Sequence, residues 1–337
     1  MSISIINEIY QKKLFSYLNT INQKIISCLC ILLVLYYLGQ GRREKMGQSQ
    51  NFLKNLIQSS STITKIKHQE IHILSLKKQT VISRKQNIST KQIEIIALEN
   101  QIVPERYIKN IGTIGIQGQL KLLQSRVAVI GLGGLGSFLI ELLARMGIGE
   151  LFLADGDVFV ENNLNRQLLM NEKSIGNFKA NIAKKRLKTV NSAVVVDIFR
   201  GFLDYENAPL LLEACNVIAD GLDNIKDRYM LQSIGKTLNI PYVYGSVAGF
   251  FGQVCSIFPG DDSISLIYGM DTPSINHGVE VEIGNLPATV ATIAALQTQE
   301  IVKILTNTGK PLRKKLLIID TEYGETNTIE LSLKNES

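Results

Sequence analysis

The glycine-rich stretch at residues 128–137, AVIGLGGLGS, constrains the fold of this chain more than any other feature. Gly131, Gly133 and Gly136 fit the G-x-G-x-x-G pattern, in which a tight turn brings backbone N–H groups and a helix N-terminus close to a phosphate. Asp155 follows at about the 20-residue distance at which an acidic residue binds a ribose in such folds. The stretch predicts a nucleotide-binding α/β fold. Taken alone it favours a dinucleotide, but it does not identify a reaction.

The alternation of short apolar runs with helix-length segments from Pro104 onward supports that fold. It predicts a doubly wound, mostly parallel, Rossmann-like α/β sheet of about eight strands. The expected strands are Arg126–Ile130, Leu151–Ala154, Val194–Phe199, Val217–Asp220, Tyr242–Val247, Gln253–Phe258, Leu316–Asp320 and Thr328–Leu333. The expected helices are Gly134–Met146, Asn177–Val190, Asn224–Leu238 and Leu286–Leu305.

The N-terminal part of the chain differs from the rest in charge. Residues 1–103 hold 14 Lys and Arg against 5 Asp and Glu, whereas residues 104–337 hold 22 against 25. The net charge of +6 therefore comes from the N-terminal part. A nucleic-acid role is not supported, because that part lacks the aromatic residues that would stack on bases, and a solvated helical face is the preferred interpretation.

Three regions are expected: an apolar and basic segment at 1–45, a helical appendage at 46–103 without strand alternation, and a nucleotide-binding domain at 104–337. Residues 25–38 form an apolar run between basic residues. A helix of that length covers about 21 Å of a hydrocarbon core of about 30 Å, so the run is short for a membrane span. It is interpreted as a possible membrane contact or tether. The alternatives are a helix packed on the body, or an extension upstream of an internal start at Met46. In the appendage, Ser89 or Thr90 is the expected helix cap.

The four cysteines include no C-x-x-C pair, so neither a zinc ribbon nor a disulfide framework is supported. A reducing compartment is expected, either the cytoplasm or an organelle matrix. Cys215 and Cys255 lie beside or within expected strands, where a free cysteine is usually a small buried apolar residue.

A polar run after Asp155, DGDVFVENNLNRQ, argues against a simple dinucleotide site. It brings Asn163, Arg166 and Gln167 together, and Lys179 follows in GNFK near the start of the next helix. Arginine binds phosphate bidentately and lysine acts as a point charge. Two cations that converge on one nucleotide suit a triphosphate better than the two charges of a dinucleotide.

A second polar segment, DGLDN, follows the apolar run NVIA and places Asp220, Asp223 and Asn224 at the carboxyl edge of the expected sheet. Ligands of open α/β sheets bind at that edge. Mg²⁺ takes one or two protein carboxylates and completes its shell with waters and phosphate oxygens, so a carboxylate at this position indicates magnesium.

The motifs GLGGLG, DGD, NLNRQ, GNFK and DGLDN, present in this order, resemble those of the ubiquitin-activating-type adenylyltransferases, the ThiF, MoeB and HesA superfamily. The resemblance extends from about Pro104 to Leu333. Residues 104–119, PERYIKNIGTIGIQGQ, and the segment GNLPATVATIAALQTQEIVKIL look most like the HesA-type branch.

This resemblance implies a set of nucleotide-binding residues: Gly131, Gly133, Gly134, Gly136, Asp155, Asp157, Asn163, Arg166, Gln167, Lys179, Asp223 and Asn224. Asp155 would hold the ribose hydroxyls, and Asn163, Arg166 and Lys179 would contact the phosphates. Asp223 would match the essential aspartate of the family, which works with Mg²⁺. The implied reaction joins the C-terminal glycine carboxylate of a ubiquitin-like protein to AMP, and the implied assembly is a homodimer.

Three positions depart from the family pattern. Lys109 stands where many members carry an arginine that reaches the ATP site of the neighbouring subunit, so it is a candidate for that role in trans, with Arg106 as the competitor. Zinc is not expected, because the two C-x-x-C pairs of many members are missing. The loop SINHGVEVEIGNLP has Glu280 and its neighbours in place of the cysteine that some relatives use for covalent transfer.

The sequence is compatible with three classes of function. The leading one is an adenylyltransferase that activates a sulfur-carrier protein ending in Gly-Gly, for molybdopterin, thiamine or another sulfur-containing cofactor. The second is an NAD(P)-binding oxidoreductase, which the glycine pattern and Asp155 favour and which Lys179 and Asp223 disfavour. The third is a non-catalytic subunit that binds a ubiquitin-like protein.

Overall fold

The computed structural model describes residues 51–66, 69–269 and 278–332. The chain divides into two compact units, Met1–Ser59 and Ser60–Ser337. The run at 25–38 and the alternative start at Met46 lie outside the described residues, so their interpretation stays a prediction. Within the described residues, no helix combines the length and the hydrophobicity that crossing a bilayer requires.

The main element of the second unit is an eight-stranded sheet. Its strands are β4 (Arg126–Ile130), β5 (Glu150–Ala154), β6 (Val195–Phe199), β7 (Val217–Asp220), β8 (Tyr242–Ala248), β9 (Phe251–Ile257), β10 (Lys315–Asp320) and β11 (Glu325–Glu330). Across the sheet they lie in the order β11-β10-β9-β8-β7-β4-β5-β6. The five strands from β6 to β8 run parallel to one another, and β9, β10 and β11 continue the sheet as antiparallel neighbours. The predicted α/β fold class, with a mostly parallel sheet, is confirmed.

Helices cover both faces of this sheet. They are α4 (Ile108–Gln124), α5 (Gly134–Met146), α6 (Lys179–Val190), α7 (Ala208–Leu212), α8 (Ile225–Leu238), α9 (Ser263–Tyr268), α10 (Glu280–Ile283) and α11 (Pro287–Thr306). The four helices expected from the sequence are present, with ends that differ by at most two residues. The last strand is displaced the most, since it was expected at Thr328–Leu333.

The buried residues of β4 belong alternately to two apolar cores, one on each face of the sheet, which explains the two helical layers. Val127 and Val129 belong to the apolar core that contains α5, α6 and α11. Ala128 and Ile130 belong to the opposite core, which contains α7, α8 and α9. Successive side chains of a strand point to opposite faces, so an uninterrupted apolar strand requires cover on both sides.

Strand β4 lies between β7 and β5, which places a switch in strand order beside it. The chain leaves β4 through α5 to reach β5 on one side, and it leaves β7 through α8 to reach β8 on the other. The loops after β4 and β7 therefore separate at the carboxyl edge and open a crevice between them. Open α/β sheets bind ligands in such a crevice.

The region predicted as a helical appendage contains a sheet as well as helices, so that prediction was wrong in part. The described part of this region, residues 51–66 and 69–103, contains three helices: α1 at residues 51–60, α2 (Leu76–Gln86) and α3 (Thr90–Glu99). Between and after them, β1 (Thr62–Ile66), β2 (Gln69–Leu74) and β3 (Ile102–Pro104) form a three-stranded sheet. Short strands with mixed polar residues, such as TITKI, lack a clear alternation, which is why the pattern missed them.

The expected boundary at residue 103 also requires correction. Strand β3 crosses it, and residues 60–103 belong to the same compact unit as the main sheet. A buried polar contact explains part of this attachment, since Tyr107 donates a hydrogen bond to Glu94 on α3 and accepts one from Asn191 after α6. The expected cap of α3 is confirmed at Ser89, which forms a capping box with Gln92.

Candidate active site

A cavity of about 350 Å³ lies at the carboxyl ends of the parallel strands, and its walls are formed by the loops after β4, β5, β6 and β7 and by the end of β8. This volume is in the range of small-molecule sites, which start at about 300 Å³. Ten of the residues predicted to bind nucleotide line this cavity: Gly131, Gly133, Gly134, Asp155, Asp157, Arg166, Gln167, Lys179, Asp223 and Asn224. The structure thus brings together residues that are up to 93 positions apart in the chain (131 to 224).

Gly131 and Gly136 of the glycine-rich stretch are required by close backbone contacts. Gly131 has a φ of +86°, which side-chain-bearing residues rarely adopt. A Cβ at Gly136 would overlap the carbonyl oxygen of Gly131, and a Cβ at Gly221 would overlap the same oxygen. Gly136 does not line the cavity. It lets the first turn of α5 pack against the loop, while Gly131 and Gly221 join the loops after β4 and β7.

Asp155 is held at the end of β5 by two backbone N–H groups. Leu132 N donates to its Oδ2 at 2.6 Å, and Asp157 N donates to its Oδ1 at 2.7 Å. Burial raises the pKa of the carboxyl, and the positive charge of Lys179 and the two backbone donors oppose that shift. Each carboxylate oxygen keeps a further lone pair, so Asp155 can still accept hydrogen bonds from ribose hydroxyls.

Lys179 begins α6, and its side chain is only 8% exposed. Its Nζ lies 2.9 Å from Oδ2 of Asp157, whose side chain is 54% exposed. The pair places a buried positive charge at the cavity wall beside a solvated carboxylate. An incoming phosphate could compete with Asp157 for this ammonium group, since the exposed carboxylate is readily solvated by water.

Arg166 and Gln167 reach the cavity from the short turn at 161–167. Nη1 of Arg166 donates to the carbonyl of Asn162 at 2.8 Å and to Oδ1 of Asn165 at 2.9 Å. Gln167 is buried, and its Oε1 has no hydrogen-bond partner among the residues that the structure describes. A buried polar atom without a partner carries a free-energy cost of about 1–3 kcal/mol, which a bound ligand or water would offset.

Asn163 does not line the cavity, unlike the sequence-based expectation. It is buried, its Oδ1 accepts from Val160 N at 3.2 Å, and its carbonyl accepts from the backbone N–H groups of Arg166 and Gln167. Asn163 thus builds the turn that presents its two neighbours. The expected contact of Asn163 with a phosphate stays a prediction.

The segment after β7 places two of the predicted residues at the cavity wall, whereas Asp220 at the end of β7 lies inside the protein. Asp223 and Asn224 line the cavity, and Asn224 caps α8 by accepting from Asp227 N at 2.9 Å. Asp220 is fully buried and is bonded to Tyr242, Arg228 and the backbone N–H of Leu222. Its carboxylate is therefore engaged inside the protein.

The two basic candidates near the start of α4 have different surroundings. Lys109 is exposed on α4 and does not line the cavity of its own chain, so its role in trans stays a prediction. Arg106 forms an ion pair with Glu94, with a distance of 3.3 Å from Nε to Oε1, and it also bonds Asn191. Arg106 is thus engaged in holding α3 to the body.

Several cavity residues were not anticipated from the sequence: Gly201, Phe202, Leu203, Asp227, Arg228, Ser246, Glu280, Val281 and Asn285. The loop at 201–203 follows β6, and the rule that ligands bind at carboxyl ends of strands could have identified it. Arg228 lies in the first turn of α8, where a charged residue carries no distinctive signal. Glu280 and Val281 approach the cavity through the tertiary packing of α10, which no local pattern predicts.

Cys215 and Cys255 are buried, as expected for small apolar residues. Burial is the main cause that raises the pKa of the Cys255 thiol to about 12, and burial also raises the pKa of Cys215. Neither thiol lines the cavity.

The donor set of the cavity fits a nucleotide with its magnesium. Asp223, Asp157 and Asp227 contribute carboxylates, and Mg²⁺ needs only one or two of these when phosphate oxygens and water complete its shell. Among the described residues, no group of three or more His, Cys, Asp or Glu side chains could hold a metal without such help. The loop that Gly131 and Gly136 keep free of Cβ atoms offers a surface for phosphate at the N-terminus of α5.

Comparisons with known proteins agree with this geometry. A model of the ThiF family matches residues 105–337. The SAMP-activating enzyme E1 of Haloferax volcanii is 33% identical over 224 residues, which are 64% of this chain and 81% of that protein. The adenylyltransferase and sulfurtransferase MOCS3 of Anopheles gambiae is 33% identical over 68% of this chain and 53% of its own length. The chain thus spans about half the length of the MOCS3 relatives.

Solved structures also share the fold. The crystal structure of PaaA matches with a TM-score of 0.58 and 25% identity, covering 68% of this chain and 74% of that one. The more specific assignment to a HesA-type branch stays a prediction.

Proposed function

The chain belongs to the ThiF family, and on that basis we propose that it is an ATP-dependent adenylyltransferase acting on the C-terminal carboxylate of a ubiquitin-like carrier protein. The observation that carries the proposal is the single cavity lined by Arg166, Lys179 and Asp223 together with the glycine loop. A nicotinamide dinucleotide would need the loop and Asp155. Such a dinucleotide would not require two cations and a carboxylate beside its phosphates.

In the proposed reaction a carboxylate oxygen of the carrier forms a bond to the α-phosphorus of ATP. The bond from that phosphorus to the bridging oxygen breaks, and pyrophosphate leaves. Carboxylate and triphosphate are both anionic, so the main obstacle is to bring them together in line. Lys179, which is buried, and Arg166 would offset this charge, and such electrostatic stabilisation is strongest where water is excluded.

The remaining residues would bind and orient the nucleotide. Asp155 would accept hydrogen bonds from the ribose hydroxyls, and Gln167 would supply an acceptor through its unpartnered Oε1. Asp223 would hold Mg²⁺ together with the phosphates, supported by Asn224. Bound Mg²⁺ would supply positive charge at the phosphate oxygens.

The carrier is proposed to be a sulfur-carrier protein ending in Gly-Gly, and its adenylate would then receive sulfur from a separate donor. The names of the relatives support this direction, since one is an activating enzyme and another an adenylyltransferase and sulfurtransferase. The product would serve a sulfur-containing cofactor of the molybdopterin or thiamine type. We further propose a homodimer in which Lys109 reaches the partner's cavity.

Carrier-dependent exchange of pyrophosphate into ATP tests the proposal. The wild-type chain should catalyse exchange only with a carrier that has a free C-terminal glycine, and Asp223→Ala should lower the rate by about 10²-fold or more. Carrier binding by Asp223→Ala should remain measurable, which separates loss of chemistry from loss of the fold. Tight NAD(H) binding without any exchange would favour an oxidoreductase instead. Carrier binding without ATP binding would favour a non-catalytic subunit.

A further inference from the structure

A buried polar cluster lies directly behind the loop that carries Asp223. We name it the Arg228 cluster, and it consists of Asp220, Arg228, Tyr242, Tyr244 and Tyr268. Nε of Arg228 is 3.2 Å from Oδ2 of Asp220, and the hydroxyl of Tyr242 donates to the same Oδ2 at 2.6 Å. Nη1 of Arg228 donates to the hydroxyl of Tyr268 at 2.8 Å, and that hydroxyl is 2.8 Å from the hydroxyl of Tyr244.

The guanidinium of Arg228 is committed to these partners although the residue lines the cavity. Besides Asp220 and Tyr268, its Nη2 donates to the carbonyls of Leu222 at 2.9 Å and Gly245 at 3.4 Å. All three of its nitrogens therefore have protein acceptors. Arg228 differs in this respect from a cation that is available for phosphate, and its planar fork spans a carboxylate and a carbonyl that a single ammonium could not bridge equally well.

Both backbone groups of Leu222 are held by this cluster. Its N–H donates to Oδ1 of Asp220 at 2.8 Å, and its carbonyl accepts from Nη2 of Arg228. On the other side of Asp223, Asn224 is held as the cap of α8. Gly221 is held as well, since its N–H donates to the carbonyl of Ile130 at 2.8 Å. Asp223 thus stands between two backbone positions that are each fixed by side chains or by the neighbouring loop.

We propose that Arg228, acting with Asp220, is a positioning pair that sets the place of the Asp223 carboxylate through the backbone of Leu222. The inference rests on the proposed function, because it assigns a partner to the aspartate that works with MgATP. It makes Arg228 a residue that acts through Asp223 and not through its own contact with substrate. A misplacement of about 1 Å in a reacting group costs on the order of 10²-fold in rate.

A double-mutant cycle on MgATP affinity tests this proposal without using turnover. The dissociation constant of MgATP is measured by calorimetry for the full-length wild type, Arg228→Gln, Asp223→Asn and the double variant. If Arg228 acts through Asp223, each single variant weakens MgATP binding, and the double variant is no weaker than Asp223→Asn. Losses that multiply in the double variant would overturn the proposal.

Two control variants separate positioning from a general loss of stability. Tyr242→Phe removes a hydrogen bond to Asp220 in the same cluster but leaves both contacts to Leu222, so it should lower the melting temperature with little change in MgATP affinity. Arg313→Gln breaks an ion pair outside the cavity, between the half-exposed Arg313 and the buried Asp261, in which Nε and Oδ2 are 2.9 Å apart, and should leave affinity unchanged. If Tyr242→Phe weakens MgATP binding as much as Arg228→Gln does, the role of Arg228 is only structural.

Two further measurements are the exchange kinetics of Arg228→Gln and the binding of MgATP by the wild-type chain. With carrier present, Arg228→Gln should lower kcat for exchange by about 10–100-fold, whereas KM for the carrier should change by less than about 3-fold. A change in KM for the carrier as large as the fall in kcat would contradict a positioning role. Failure of the wild-type chain itself to bind MgATP would overturn the proposed function and this inference together, whereas binding with multiplying losses would overturn the positioning pair alone.

Discussion

At the scale of single residues, the exposure of the ion-pair partner distinguishes buried charges that are compensated inside the protein from the buried charge that can bind a ligand. Asp220 and Arg228 are both buried and paired, so their charges are already compensated inside the protein. Lys179 is also buried, but its partner Asp157 is largely solvated. The ammonium of Lys179 therefore lies at the cavity wall with a partner that a phosphate can replace.

Replacing Lys179 with Met should remove that charge and keep most of the side chain's apolar packing. We expect kcat/KM for ATP in the exchange reaction to fall by about 10²-fold, because one buried cation at a phosphate contributes about 2–3 kcal/mol to transition-state binding. Lys185→Met on the exposed side of α6 is the matched control and should change the rate by less than about 2-fold. Equal effects of the two substitutions would contradict a specific role for Lys179.

Glu94 should make stability depend on pH. Burial is the main cause that raises the pKa of its carboxyl from 4.5 to about 7, and the charge of Arg106 opposes the shift. Because the folded-state pKa lies above the unfolded one, the contribution of Glu94 to stability is complete below about pH 4.5 and is lost as the pH rises through 7.

Urea midpoints of the wild type and Glu94→Gln between pH 5 and pH 8 measure this effect. The wild type should lose stability relative to the variant as the pH rises, by on the order of 3 kcal/mol in total. A difference between the two proteins that stays constant with pH would show that Glu94 does not titrate in this range.

At the scale of secondary-structure elements, strands β4, β5 and β7 and the helices that follow them could be predicted because their signals are local. Apolar runs between glycines and polar turns marked their ends, and the rule for carboxyl edges placed Asp155 and Asp223 near one another. The contribution of Arg228, the engagement of Asp220 and the approach of α10 could not be predicted. They depend on which side chains meet across the fold, and single-sequence patterns carry no such information.

The strands of the N-terminal sheet show the same limit. TITKI and QEIHIL are short and partly polar, and their pairing with each other and with β3 is a tertiary property. The absence of strand alternation led to a helical interpretation of the whole region, which was correct for α2 and α3.

The packing of α5 against its own loop should be sensitive to a single methyl group. Gly136→Ala would place a Cβ on the carbonyl oxygen of Gly131, so we expect a loss of at least about 2 kcal/mol in unfolding free energy and of nucleotide binding. Gly112→Ala on α4 has no heavy atom within 4 Å of the new Cβ and should be neutral or stabilise by up to about 1 kcal/mol. Thermal unfolding and ATP binding of the two variants provide the measurement. A stable, ATP-binding Gly136→Ala protein would contradict the packing account.

At the scale of the whole molecule, the position of Lys109 outside its own cavity leads to a prediction about assembly. If Lys109 acts in a partner's cavity, Lys109→Ala and Asp223→Ala should each be inactive as homodimers. Mixed dimers would then contain one cavity with both residues intact. Mixing equal amounts after subunit exchange should restore about a quarter of the wild-type exchange rate, as random pairing in a two-fold dimer requires. Full activity of Lys109→Ala alone, or no recovery on mixing, would contradict the role in trans.

The central claim is that the cavity between the loops after β4 and β7 transfers AMP from ATP to a protein carboxylate. The most direct measurement is the intact mass of a candidate ubiquitin-like carrier after incubation with the full-length chain, ATP and Mg²⁺. The account predicts that the carrier gains one AMP group, that removal of its terminal glycine prevents the gain, and that pyrophosphate is released in equal amount. An unmodified mass for every Gly-Gly carrier tested, with ATP left intact and NAD(H) bound tightly in the same cavity, would contradict it.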